Sequence, residues 1–261
     1  MARRKDLACV DRRRCRDADD DSPSFQLTHT RNPLRRLPAA LNITAMWTKS
    51  QKAGTLVCIF RFSPLLLENM DKQERANFRQ RLLTKLRGSF VYNTEPIFTL
   101  SSGRKSHFYI DCKKVTLDFE GAFLVGQLIL DAISNLEVDA IGGMTLGADP
   151  IATAVSVLSY GEPRSIPAFI IRKEPKPFVP SGGPLAYIEG NLPTKARVVV
   201  VDDVLTAGRA TERTINVLKG AGCTVVKVIA LVDRKEGGRQ HLEALGYTVE
   251  SLFTVEDLLK A

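Results

Sequence analysis

Two adjacent carboxylates, Asp202 and Asp203, close an apolar run of four valines, Val198 to Val201. A loop of mostly small residues follows, Thr206-Ala207-Gly208-Arg209-Ala210-Thr211, and a helical pattern begins there. Such a loop before a helix N-terminus offers free backbone N–H groups to a phosphate. Paired carboxylates just ahead of it can accept hydrogen bonds from a vicinal diol. A phosphate and a diol at that separation describe a ribose 5-phosphate. The plainer alternative has Asp capping the helix after an ordinary β–α turn. Competing phosphate signatures are missing: there is no G-x-x-x-x-G-K-S/T, and Gly142, Gly143 and Gly147 do not form G-x-G-x-x-G.

The valine run suits a strand covered on both faces of a parallel sheet. Open α/β sheets bind ligands at the carboxyl ends of their strands, where the two carboxylates fall. Further strands are expected at 138–144, 166–171, 197–202, 225–232 and 247–253, with helices at 148–159, 209–221, 237–245 and 255–260. Alternation of this kind implies βαβ units. Ahead of them, 71–87 forms an amphipathic helix ending at Gly88. Runs 97–100 and 107–111 make a hairpin around SSGRKS, and apolar residues from Ala122 to Ile133 repeat at helical spacing.

Composition is that of a globular protein, 44% hydrophobic and 25% charged. The net charge of +8 is unevenly spread. Residues 1–69 hold 13 Lys and Arg against 7 Asp and Glu, while 70–261 hold 24 against 22. The near-neutral second part argues against a broad nucleic-acid surface. Five cysteines without metal spacing (9, 15, 58, 112, 223) fit a reducing compartment, hence the cytoplasm. Cys112 and Cys223 read as packing residues. Residues 55–67 are too short and too interrupted, by Arg61 and Pro64, to span a membrane. The expected organisation is a disordered extension or non-native upstream translation over 1–69. A single domain at 70–261 follows, with a hood over about 71–115 and a core over about 116–261.

VVVVDDVLTAGRAT (198–211) resembles the 5-phosphoribosyl 1-diphosphate (PRPP) motif of type I phosphoribosyltransferases. FTLSSGRKSHFYIDCKKVTLD (98–118) resembles the hood of orotate phosphoribosyltransferases. IGGMTLGADPIATA (141–154) resembles their diphosphate loop, IIRKEPK (170–176) the start of their mobile catalytic loop, and ALVDRKEGG (230–238) the strand end that meets orotate. The segments keep the family's order across about residues 71–261. The resemblance implies an α/β fold, an open parallel sheet flanked by helices with a small N-terminal hood. It implies transfer of the phosphoribosyl group of PRPP to orotate, giving orotidine 5′-phosphate and diphosphate in pyrimidine biosynthesis. PRPP would be held by Asp202, Asp203, Val204, Leu205, Thr206, Ala207, Gly208, Arg209 and Ala210. Arg172, Lys173 and Lys176 would be the catalytic cations on the diphosphate, one lysine acting across a homodimer. Thr145, Leu146, Gly147 and Ala148 would offer N–H groups to diphosphate, and Thr206 and Arg234 would meet orotate. Mg²⁺ would ride on PRPP, with no direct protein ligand. No nucleic acid or membrane partner is implied.

The chain departs from the family pattern in places. Phe178 stands where a His is usual, and the loop to Ile188-Glu189-Gly190 is about four residues longer. Arg209 replaces a small residue. Ser101 stands where some members carry a Lys, with Lys105 a candidate substitute. These departures keep two rivals in view: a purine-type phosphoribosyltransferase, and a catalytically impaired PRPP-binding paralogue or regulator.

Overall fold

The computed structural model describes residues 43–49, 56–62, 70–99, 103, 105–160, 165–177 and 183–260. In chain order the elements are β1 (Ile43–Lys49), β2 (Leu56–Phe62), α1 (Lys72–Gly88), β3 (Phe90–Tyr92), β4 (Phe98–Thr99), β5 (Lys105–Ser106) and β6 (Phe108–Ile110). Then come α2 (Lys113–Thr116), α3 (Phe119–Ala132), β7 (Ala140–Met144), α4 (Ala148–Leu158) and β8 (Ala168–Ile171). A 3₁₀ turn (Pro184–Tyr187) leads to β9 (Ile188–Gly190), β10 (Arg197–Leu205) and α5 (Arg209–Gly220). The chain closes with β11 (Thr224–Asp233), α6 (Gly238–Ala244), β12 (Val249–Thr254) and α7 (Val255–Leu259).

The central sheet has six strands in the order β12-β11-β10-β7-β8-β9. All neighbours pair parallel except β8 with β9. The valine run explains its own placement. Val199 and Val201 pack into one core with Leu82 and Leu86 of α1, Leu124 and Ile129 of α3, and Ile151 of α4. Val198 and Val200 pack into a second core with Ile215 and Leu218 of α5 and Leu242 of α6. Successive side chains of a strand point to opposite faces, so a strand sandwiched between helix layers is apolar throughout. The expected α/β architecture is therefore present.

The order places β7 and β10 side by side, with the chain winding out to β8 from one and to β11 from the other. That is a topological switch point, where open α/β sheets form a crevice at the carboxyl ends of their strands. Over this crevice lies the hood, where the expected hairpin is corrected: β4 pairs antiparallel with β5, while β6, in the run 107–111, pairs antiparallel with β3 instead.

Several elements differ from expectation. β10 continues to Leu205, three residues past the expected end, so Val204 and Leu205 are strand residues. β9 adds an antiparallel edge strand, and α2 and the 3₁₀ turn are too short to leave a periodicity in the sequence. Within the stretch taken for an extension, β1 and β2 pair antiparallel; two strands alone are marginal in water. The remainder of that stretch lies outside the described residues. Cys112 and Cys223 are free and buried, as packing residues should be.

Candidate active site at the switch point

The end of β10 carries the acidic pair. Thr211 Oγ1 donates to Asp202 Oδ2 at 2.9 Å, which ties the carboxylate to the first turn of α5. Burial, and next the neighbouring charge of Asp203, push the Asp202 carboxyl up to about 7. Asp203 Oδ2 lies 3.8 Å from Lys113 Nζ, which is itself 3.2 Å from Asp111 Oδ1. Asp111 and Lys113 follow the hood strand β6, so the hood delivers a cation to the pair. No sequence pattern marked Lys113 beyond the dipeptide Lys113-Lys114 after a strand.

Beyond the pair, Thr206, Ala207 and Gly208 turn the chain into α5. Gly208 takes a left-handed conformation (φ 78°) and gives α5 no side-chain cap. The first-turn amides of α5 therefore have no side-chain acceptor, and such amides bind anions. A β-carbon on Gly238, the first residue of α6, would lie 2.3 Å from the Thr206 carbonyl oxygen. A glycine there lets α6 pack directly under the loop. Leu205 is buried in the core and contributes main chain alone; its carbonyl accepts from Arg234 N–H at 2.9 Å. Arg209 is exposed. With Arg213, Asn216 and Tyr187 it lines a cavity of about 520 Å³ between α5 and the 3₁₀ turn.

The loop after β7 approaches from the other side of the switch point. Its Thr145–Leu146 peptide is cis. Thr145 Oγ1 donates to Asp149 Oδ2 at 2.7 Å, and Thr145 N–H is taken by the Ile171 carbonyl at 2.9 Å. Thr145 thus cannot offer its amide to diphosphate, because the parallel pairing with β8 extends through it. Leu146, Gly147 and Ala148 remain to present theirs. A β-carbon on Gly147 would meet Asp203 Oδ1 at 2.2 Å and Cγ at 2.4 Å. Gly147 is therefore required by the carboxylate beneath it.

Arg234, at the end of β11, is nearly fully buried. Its guanidinium stacks on Phe108 of the hood with Cζ 4.1 Å from the ring centroid. Nε donates to Glu236 Oε1 at 2.8 Å and Nη2 to Ser106 Oγ at 2.9 Å. These bonds occupy the Nε and Nη2 edge of the fork. A planar, pre-oriented guanidinium suits a carboxylate. Ser106, Phe108 and Glu236 escaped sequence reasoning, since their meeting depends on the hood folding back over the sheet.

The expected catalytic cations are placed differently. Arg172 Nη1 lies 3.0 Å from Glu189 Oε1 and Lys176 Nζ lies 3.3 Å from Glu189 Oε2. Lys176 also donates to the Ile188 carbonyl at 2.5 Å. Arg172, and next Lys176, hold the Glu189 carboxyl below its ordinary range. Lys173 is exposed, and its carbonyl accepts from Arg213. Arg172 and Lys176 are thus brought together on Glu189 of β9. Lys105 donates to Thr99 Oγ1 at 2.8 Å within the hood hairpin. Phe178 lies outside the described residues.

A parallel sheet with an acidic pair, an uncapped anion-binding helix and a second loop meeting at the switch point defines a type I phosphoribosyltransferase. The family described as "Phosphoribosyl transferase domain" matches residues 151–250. An orotate phosphoribosyltransferase from a Nostoc species is 48% identical over 162 residues, 62% of this chain and 76% of the relative. One from Aquifex aeolicus is 41% identical over 165 residues, 63% of this chain and 88% of the relative. A Mycobacterium tuberculosis orotate phosphoribosyltransferase structure in complex with PRPP is 32% identical with a TM-score of 0.57, covering 69% of this chain and 98% of that one. The chain belongs to the orotate phosphoribosyltransferase family.

Proposed function

We propose that the protein transfers the phosphoribosyl group of PRPP to orotate, yielding orotidine 5′-phosphate and diphosphate in pyrimidine biosynthesis. What most supports orotate is Arg234: a buried guanidinium stacked on Phe108 and oriented by Glu236 and Ser106, joined through Leu205 to the strand that carries the acidic pair. Orotate is a carboxylate-bearing ring, and purine bases carry no such group.

In this reading Asp202 and Asp203 accept the ribose hydroxyls. The amides from Thr206 to Ala210 hold the 5-phosphate, and Leu146 to Ala148 face the diphosphate. The orotate ring nitrogen attacks C1 as the C1–O bond to diphosphate breaks. Charge develops on both sides of that bond, so aimed amides and cations do most of the work. Arg172, Lys173 and Lys176 serve as diphosphate cations, one lysine reaching the partner's site.

Mg²⁺ fits as a passenger of PRPP. No cluster of three or more His, Cys, Asp or Glu side chains able to hold a metal is present among the described residues. Mg²⁺ is commonly held largely by substrate phosphates and water, a donor set that PRPP itself supplies. It would neutralise the diphosphate.

The homodimer is supported by an apolar groove of about 700 Å³ lined by Leu117, Phe123, Leu146, Val157 and Leu158. Leu117, Leu146 and Val157 are 67–72% exposed in the single chain, and an exposed apolar patch of this kind marks an interface. Light scattering of the full chain should give twice the chain mass. No helix among the described residues is long and apolar enough to cross a membrane. The free buried cysteines fit a reducing compartment such as the cytoplasm.

A substrate panel tests the activity. The full chain with PRPP and Mg²⁺ should consume orotate and leave adenine and hypoxanthine untouched. Replacing both Asp202 and Asp203 with Asn should weaken PRPP binding at least about tenfold. Turnover of a purine base, or unchanged PRPP binding in the double variant, overturns the reading.

A further inference from the structure

We propose that Lys113 is a substrate-binding cation, whose ammonium leaves the Asp111 and Asp203 carboxylates for the diphosphate of PRPP and stays on the leaving diphosphate. The inference rests on the orotate phosphoribosyltransferase reading of the site and adds to it a residue which that reading does not contain.

Position carries the argument. Lys113 Nζ is 3.8 Å from Asp203 Oδ2, the carboxylate assigned to the ribose. The same side chain lines a groove with Leu146, in the diphosphate loop, and Asp149, which Thr145 of that loop holds. Among the described residues, Lys113 and Asp149 are the groove's charged lining residues. Lys113 thus lies between the ribose carboxylates and the loop assigned to diphosphate, where the breaking C1–O bond must lie.

The backbone is fixed and the tip is held only by part-exposed ion pairs to Asp111 and Asp203, which suits a cation that changes partners. Lys113 N–H donates to Asp111 Oδ1 at 3.2 Å, setting the start of α2 against the end of β6. The side chain remains 43% exposed. Burial works against its charge, but Asp111 and Asp203 outweigh it and hold the ammonium above the usual lysine range. Lys113 is therefore a standing cation and not a proton donor. When the C1–O bond breaks, both electrons leave on the diphosphate oxygen. Lys113 donates hydrogen bonds to that growing charge and gives up no proton.

Need supports position. Arg172 and Lys176, expected on the diphosphate, are paired with Glu189 on β9. A site that binds a highly anionic group beside two carboxylates needs a cation of its own before any lid closes, and Lys113 is the cation found at Asp203.

The test is calorimetric titration of inorganic diphosphate with Mg²⁺ into the full chain, Lys113→Gln, Lys113→Arg and Asp111→Asn. Steady-state kinetics for PRPP and orotate accompany it, and thermal melts report folding. Lys113→Gln should lose at least about tenfold in diphosphate affinity, equivalent to 1.4 kcal/mol, and raise the PRPP KM while leaving the orotate KM unchanged. Lys113→Arg should recover most of the loss. Asp111→Asn, which removes the ion pair and keeps the cation, should hold diphosphate as well as the parent or better.

Parent-like diphosphate binding in Lys113→Gln overturns the proposal. So does an equal loss in Asp111→Asn, which would make Lys113 a strut between hood and core. If Lys113→Gln fails to fold, the other two variants still decide. A parent that binds diphosphate yet leaves orotate unconsumed would sink the assigned reaction and leave the Lys113 result standing on its own.

Discussion

Asp202→Asn should make the ligand-free protein more stable at alkaline pH and useless for PRPP. The folded chain raises this carboxyl from 3.8 to about 7, first through burial and then through Asp203. Between those two values the folded chain keeps a proton that the unfolded chain has released. Stability therefore falls as pH rises across that window and levels off above it. At 1.36 kcal/mol per pH unit the ceiling is roughly 4 kcal/mol. Solvent and dipoles relax around a charge even in buried sites, where an effective dielectric near 20 applies, and ~2 kcal/mol is a realistic expectation.

Asparagine keeps an oxygen for the Thr211 hydroxyl and removes the charge. For a domain of this size, 1 kcal/mol moves Tm by about 2–4 °C, so Asp202→Asn should melt about 4–8 °C above the parent at pH 8.5. At pH 5.5, where Asp202 is already protonated, the two curves should nearly coincide. PRPP at about 100 times its Kd should then add about 2.7 kcal/mol to the parent and much less to the variant. Scanning fluorimetry across pH 5.5–9, with and without PRPP, measures all of this. A Tm difference that is the same at both pH values, or a variant that melts lower at pH 8.5, refutes the reasoning.

Gly147→Ala drives a β-carbon to 2.2 Å from Asp203 Oδ1; it should lower stability by about 1–3 kcal/mol and weaken PRPP binding, read by melting and by PRPP titration. Arg234→Lys keeps the charge and loses the fork and the stack on Phe108, so the orotate KM should rise more than about tenfold with the PRPP KM unmoved. Phe178→His should raise turnover with PRPP affinity constant, and Lys176→Ala should lower it, since a missing acid or cation slows chemistry by about 10²–10⁴. A parent already turning over at about 10 s⁻¹, with no gain from Phe178→His, means that the absent histidine costs this chain nothing.

The sheet was legible because burial on two faces leaves a signature in one dimension. Val198 to Val201 alternate between two cores, and only an all-apolar run satisfies both. The acidic pair was legible for a related reason: two carboxylates at the end of a buried strand stand out against its apolar residues. Contacts made by the hood were not legible. Ser106 and Arg234 are 128 residues apart in sequence and meet through a 2.9 Å hydrogen bond. Their meeting depends on the hood folding back over the sheet. The charged segment 172–176 was legible only in part. Its composition announced cations, but where they point is set by Glu189 on β9, a strand too short to show periodicity.

One contact explains why the chemistry sits at this switch point and nowhere else along the sheet. Gly147 lies against the Asp203 carboxylate so closely that no side chain fits between them. The loop assigned to diphosphate and the pair assigned to ribose are therefore in direct contact, built where β7 and β10 lie side by side. PRPP carries its diphosphate and its ribose hydroxyls on neighbouring carbons, so a site that binds both must hold the two groups at a fixed offset. Parallel strands joined by backbone hydrogen bonds fix that offset better than any loop alone. The orotate corner is more loosely specified. It hangs on Arg234 at the end of β11, held by a hood residue and by Glu236 in the following turn. On this geometry, change in the accepted base should come from the hood and the end of β11, and the PRPP end of the site should tolerate least.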